Sequence, residues 1–155
     1  MHKINPIPFT KEGYQQLKVE QQHLTEKRKE TVEHLRKARE MGDLSENGYY
    51  KAAKFELGQI DRRLRKLVEL IRYGTIVQSS QSDIVEIGSK VTVSEGETTR
   101  TFSIVGGHES NPLEHKISHV SPIGKALMGK KVGENVTIET PSGKVFYAIV
   151  SVSIG

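Results

Sequence analysis

The sequence predicts an α+β chain of two domains: an antiparallel helical coiled-coil hairpin over residues 1–77, then a β-sheet domain with one short helix over residues 78–155. Three observations carry this. Composition switches near residue 75, from Leu, Lys, Arg, Glu and Gln to Val, Ile, Thr, Ser and Gly. Strong helix formers thus give way to β-branched residues and turn formers. A heptad repeat runs through Tyr50, Ala53, Leu57, Ile60, Leu64, Leu67 and Ile71. Its 3–4 spacing is that of a coiled-coil seam. Between the helical stretches, Met41-Gly42-Asp43-Leu44-Ser45-Glu46-Asn47-Gly48 holds two glycines and an Asn-Gly pair, which punctuate the chain.

The first helix is expected from about Thr10, with Thr10 as its N-cap. Leu17, Leu24, Leu35 and Ala38 mark its seam, and Gln21, Arg28 and Thr31 fill the intermediate positions. A run of roughly 32 residues gives a helix about 48 Å long. The short connection forces the second helix to run antiparallel, making a rod about 20 Å wide. Tyr73-Gly74 ends that helix, with Gly74 expected as the left-handed C′ residue. A linker is expected around Gln78–Ser82. Strand candidates are Val85–Val93, Thr99–Val105, Lys116–His119, Asn135–Glu139 and Val145–Ser153. Ser121–Met128 reads as a turn into a short helix. Pro141-Ser142-Gly143-Lys144 reads as a hairpin turn. The sheet is expected to be antiparallel.

Bulk properties bound the chemistry. The 155 residues contain no cysteine, which excludes disulfides and thiolate zinc ligands. A reducing cytoplasm is expected. Met1–Thr10 is polar, so no signal peptide is expected, and no run of about 18 apolar residues exists. The net charge of +4 is uneven: residues 1–78 hold 16 Lys/Arg against 11 Asp/Glu, and residues 79–155 hold 7 against 8. A basic half points to a nearby polyanion, although a solvated helix surface gives the same count.

Asp43 and Glu46 stand three residues apart at the turn. Two readings apply. An Asp in a turn, with Glu three residues on, is a capping signature. The same pair is also a set of hard oxygen donors suited to Mg²⁺. No histidine, reactive lysine arrangement or other group beside them completes a catalytic site, so the chain is not expected to be an enzyme by itself. A pair donated into another enzyme's centre would complete a two-metal site there. Arg36, Lys37 and Arg39 precede the turn, and Lys51 and Lys54 follow it. Such a collar would neutralise backbone phosphates. Arg62, Arg63, Arg65 and Lys66 read as a solvated face. Tyr49 is a candidate for base stacking. Tyr50 continues the seam and reads as packing. His108, His115 and His119 lack a zinc-ligand pattern.

Four segments are similar to the GreA/GreB family of bacterial transcript-cleavage factors, and the likeness spans essentially the whole chain. They are Pro8-Phe9-Thr10-Lys11-Glu12-Gly13; the tip Ala38-Arg39-Glu40-Met41-Gly42-Asp43-Leu44-Ser45-Glu46-Asn47; Tyr50-Lys51-Ala52-Ala53-Lys54; and Ser121-Pro122-Ile123-Gly124-Lys125-Ala126-Leu127 with Pro141-Ser142-Gly143. The tip wording is closer to GreA, the basic first half to GreB. The resemblance implies a cytoplasmic monomer whose coiled coil enters the secondary channel of RNA polymerase. It implies that Asp43 and Glu46 share a Mg²⁺ with the polymerase and stimulate cleavage of the 3′ end of backtracked RNA. Arg36, Arg39, Lys51 and Lys54 would lie near the RNA. An FKBP-like second domain would dock at the channel rim through Ser121 and Pro122. Relatives on the same scaffold inhibit polymerase without promoting cleavage, which is the alternative. Gly48, Tyr49 and Val120 depart from the usual family residues.

Overall fold

A computed structural model describes residues 5–42, 47–79 and 83–155. Among them the chain forms two compact units, Tyr14–Gly74 and Asn5–Gly13 with Thr75–Gly155.

The first unit is the helical hairpin. Helix α1 spans Lys11–Arg39 and α2 spans Gly48–Tyr73. Its seam follows the heptad pattern. Leu17, Thr31 and Ala38 of α1 and Ala53, Ile60 and Leu67 of α2 are buried. Leu24, Leu35, Leu57, Leu64 and Ile71 are half-buried between them. Thr31 is tolerated there because its hydroxyl donates to the Lys27 carbonyl at 3.0 Å. Leu70 lies off the expected repeat yet is only 1% exposed. Polar pairs hold the antiparallel register from root to tip. Tyr14 donates its hydroxyl to the Ile71 carbonyl at 2.8 Å. Arg63 grips Glu20 at 2.7 Å, and Arg28 grips Asp61 at 2.6 Å. Arg28, the polar gap in the first seam, is exposed and reaches across the hairpin instead of entering it.

Gly74 differs from expectation. It sits at φ −70 and ψ 143, extended and not left-handed, because the chain passes straight from α2 into a strand. That strand, β2 (Gly74–Ile76), pairs with β1 (Ile7–Phe9). Neither was foreseen, since three residues carry too little alternation. The segment Asn5–Gly13 therefore goes with the second unit, although composition had placed it with the helices. Phe9 is fully buried, and its carbonyl accepts from Val77 N at 2.8 Å.

The second unit is a five-stranded sheet with a short helix. Its strands are β3 (Ser89–Glu95), β4 (Thr98–Val105), β5 (Lys116–Ser118), β6 (Asn135–Thr140) and β7 (Gly143–Ile154), in spatial order β5-β4-β3-β7-β6. Period-2 alternation buries Val91 and Val93, Phe102 and Ile104, Val136 and Ile138, and Tyr147 and Ile149. Leu127 of α3 (Pro122–Leu127) joins that core. The sheet is mixed: β5 pairs parallel with β4. The intervening 106–115 segment, with a 3-10 turn at Pro112–Glu114, carries the chain back to start β5 in the same direction. The first expected strand starts four residues late, at Ser89. Gly88 stands before it at φ +96, and Val85 is instead pinned by Lys130 and Gly129. The turn before β7 is as expected, with Gly143 at φ +126. Of the expected linker, Ser80–Ser82 lie outside the described residues. No helix among the described residues is long and apolar enough to cross a membrane.

Candidate functional site at the hairpin tip

The tip is built by two helix ends and one side chain. Helix α1 closes with tightened turns, Glu40 N to Lys37 O and Met41 N to Ala38 O, both at 3.1 Å. Gly42 then takes φ +114, a conformation that glycine adopts without a steric penalty. On the far side, Asn47 is the N-cap of α2 at φ −79 and ψ 103, and its Oδ1 accepts from Tyr50 N at 3.1 Å. The same side chain donates from Nδ2 to the Ala38 carbonyl at 2.8 Å. One amide therefore satisfies an otherwise orphan N–H of α2 and gives the Ala38 carbonyl, which already accepts from Met41 N, a second hydrogen bond.

Asp43 and Glu46 lie outside the described residues. The residues on either side of that segment are tied to each other through Asn47. Both helix termini also bear on charge at the tip. The last turn of α1 carries Arg36, Lys37 and Arg39 at the negative end of its dipole. The N-terminus of α2, one residue beyond Glu46 with Asn47 between them, has no acidic residue in its first turn.

The basic residues separate into three kinds. Arg36 is bound within its own helix, 2.6 Å from both Glu33 and Glu40. Those contacts raise its pKa, led by the hydrogen bond to Glu33. Its charge is locally balanced, so it is a weaker candidate for a phosphate than its position implies. Arg39 and Lys54, one from each helix, converge on the Tyr50 ring, 5.9 Å and 6.0 Å from its centroid. Tyr50 is half-buried in the seam and holds both cations through its face. Lys51 and Lys37 are exposed and form no ion pair among the described residues. Tyr49 is 74% exposed, leaving its ring face open, whereas Tyr50 packs. The role of Asn47 was missed by sequence reading; an Asn immediately before a helix-period run is the signal that finds it.

In the second unit, Ser121 is the N-cap of α3. Its Oγ accepts from Gly124 N at 3.1 Å and donates to Ser118 O at 2.7 Å. Pro122 occupies the first helical turn, where its missing N–H costs nothing. Gly124 is required: a Cβ there would lie 2.0 Å from the Ser118 carbonyl oxygen. This closed turn leaves Pro122 and Val120 exposed on a fixed backbone. His108 stacks on Phe9, with ring centroids 6.0 Å apart, and so serves packing.

A helical hairpin whose helix ends are joined through Asn47, in one chain with a small mixed sheet, is the architecture these residues build. Comparison with known proteins gives its family. The family profile "Transcription elongation factor, N-terminal" matches residues 7–76, and "Transcription elongation factor, GreA/GreB, C-term" matches residues 80–154. Transcription elongation factor GreA of Geobacillus kaustophilus is 44% identical over 151 residues, covering 94% of this chain and 95% of that one. GreA of Bacillus subtilis is 43% identical over 151 residues, covering 95% and 96%. Among solved structures, the GreA factor homolog Gfh1 of Thermus thermophilus is 28% identical, covers 96% of this chain and 99% of that one, and has a TM-score of 0.46. The chain belongs to the GreA/GreB family of transcription elongation factors.

Proposed function

We propose that this chain binds bacterial RNA polymerase in the cytoplasm and stimulates the polymerase's own Mg²⁺-dependent cleavage of backtracked RNA. The hairpin enters the secondary channel as a single copy, and the second unit docks at the channel rim through the turn at Ser121 and Pro122. The observation that carries the reading is the Asn47 tie. It fastens the two helix ends on either side of the segment that carries Asp43 and Glu46.

Asp43 and Glu46 are the residues that would hold Mg²⁺. Two carboxylates match its preference for a few hard oxygen donors, and the polymerase supplies the rest. When bound, the ion offers charge stabilisation at the phosphate and a more acidic water. The chain's own contribution is to deliver two anions between the ends of the hairpin helices. Arg39, Lys54 and Lys51 balance the RNA backbone beside them, with Arg36 a lesser contributor.

The test is a purified elongation complex stalled in a backtracked register, with and without this protein and Mg²⁺. Release of a short 3′ RNA fragment that depends on both is expected. Slowed nucleotide addition without fragment release would instead identify a channel-blocking regulator and overturn the proposal.

A further inference from the structure

Within the helical hairpin, one aromatic ring is left unexplained by packing. Tyr49 is 74% exposed, and Met41, just past the end of α1, is 65% exposed. Both line a groove of about 390 Å³ on one face of the hairpin. The groove is there because the seam beneath it is made of small residues. Ala38 and Ala53, one from each helix, are buried at its floor, and neither has a side chain long enough to fill it. Lys37, Ala38 and Met41 on one side, and Tyr49, Ala53 and Glu56 on the other, recur at helical spacing, so the groove runs along the hairpin.

The charge around it favours an anion. Lys37 lines the groove and is exposed. The Glu56 carboxylate at the other end lies 3.5 Å from the Lys27 ammonium, so its charge is balanced. Tyr50 stands about 100° round the helix from Tyr49, and its ring already carries Arg39 and Lys54.

We propose that this groove is a stacking platform for one unpaired nucleobase, with the Tyr49 ring against the base and Lys37 against the adjoining phosphate. An aromatic face beside a cation is how single strands are held, because every base has a π-face and every nucleotide a charge. The Met41 thioether is polarizable and adaptable, and suits an aromatic neighbour. An apolar protein side chain would gain from Met41 and the alanines but would leave Lys37 without a partner. That the base belongs to the backtracked RNA rests on the proposed function; the groove and its charge do not.

The chain has no tryptophan. Tyr49→Trp therefore places a lone fluorophore in the groove and keeps an aromatic face. Phe55→Trp places one at a site outside the groove, where the native ring is 65% exposed. A single-stranded oligoadenylate added to the full-length variants should quench the first about fivefold more strongly than the second. The difference should shrink as salt rises. In a backtracked complex, Tyr49→Ala should slow cleavage by about fivefold or more when the extruded end is a purine, and by less when it is a pyrimidine. Tyr49→Phe should cleave like wild type. Equal quenching at the two sites overturns the platform. Cleavage by Tyr49→Ala at the wild-type rate overturns its use on the transcript. So does a loss that is the same for every end base, which would place a polymerase side chain in the groove. If the unmodified chain stimulates no cleavage, the functional reading falls, and the quenching alone decides the platform.

Discussion

The side-chain amide of Asn47 donates to the Ala38 carbonyl at 2.8 Å, so the residue that caps the second helix also ties off the first. The two contacts use opposite ends of one amide, and this makes them separable by substitution. Asn47→Ala loses both. It should destabilise the hairpin by about 1–2 kcal/mol. Asn47→Asp keeps the acceptor for Tyr50 N but has no N–H for Ala38, so it should fall between. Urea unfolding followed by helical circular dichroism checks the order wild type, Asp, Ala.

The seam makes a second prediction. Leu67 is fully buried and Val68 beside it is 53% exposed. Leu67→Ala should cost about 2–5 kcal/mol. Val68→Ala should stay within about 0.5 kcal/mol of wild type. Equal effects of the two substitutions on the melting temperature would show that the heptad face is misassigned.

Acid should loosen the hairpin in a defined way. Arg28 donates from Nε to Asp61 at 2.6 Å and holds that carboxyl below its ordinary value of 3.8. A carboxyl depressed in the fold contributes stability above its unfolded pKa and loses it as pH falls through the lower folded value. The stability gap between wild type and Arg28→Ala should therefore be open above about pH 4 and close below it. Urea midpoints of both proteins across pH 2–6 measure the gap, with roughly those limits set by the carboxylate range.

In the second unit, Gly124→Ala should destabilise by about 1–3 kcal/mol, since the new methyl meets the Ser118 carbonyl and the backbone must move. Gly58→Ala is the contrasting case. Nothing lies within 4 Å of a Cβ there, and alanine in place of glycine in a helix should stabilise by about 0.5–1 kcal/mol. Thermal unfolding of both variants tests the pair.

Much of this architecture is legible in the sequence because it follows from periodicity. The 3–4 repeat from Tyr50 to Ile71 names the buried face of α2 residue by residue. Alternation in Lys90–Val93 and Val136–Ile138 names the sheet's inner face. What escapes are features that depend on distant partners. The β1–β2 pair is too short to show a period. The parallel placement of β5 depends on how the 106–115 segment returns. Leu70 is buried without belonging to the repeat. At the tip, the spacing of Asp43 and Glu46 is plain in the sequence, but the tie made by Asn47 is not, because its second contact reaches back nine residues to Ala38. Arg36 and Arg39 look alike as letters. Only the fold shows the first held by Glu33 and Glu40 and the second shared with Lys54 over one ring.

The most direct measurement is cleavage of backtracked RNA by polymerase with the Asp43→Ala and Glu46→Ala variants, alongside their ability to displace wild-type protein from the polymerase. Both variants should compete as well as wild type while losing about 100-fold or more of the stimulated cleavage rate. Cleavage as fast as wild type by variants that still bind would contradict the assignment of these two carboxylates.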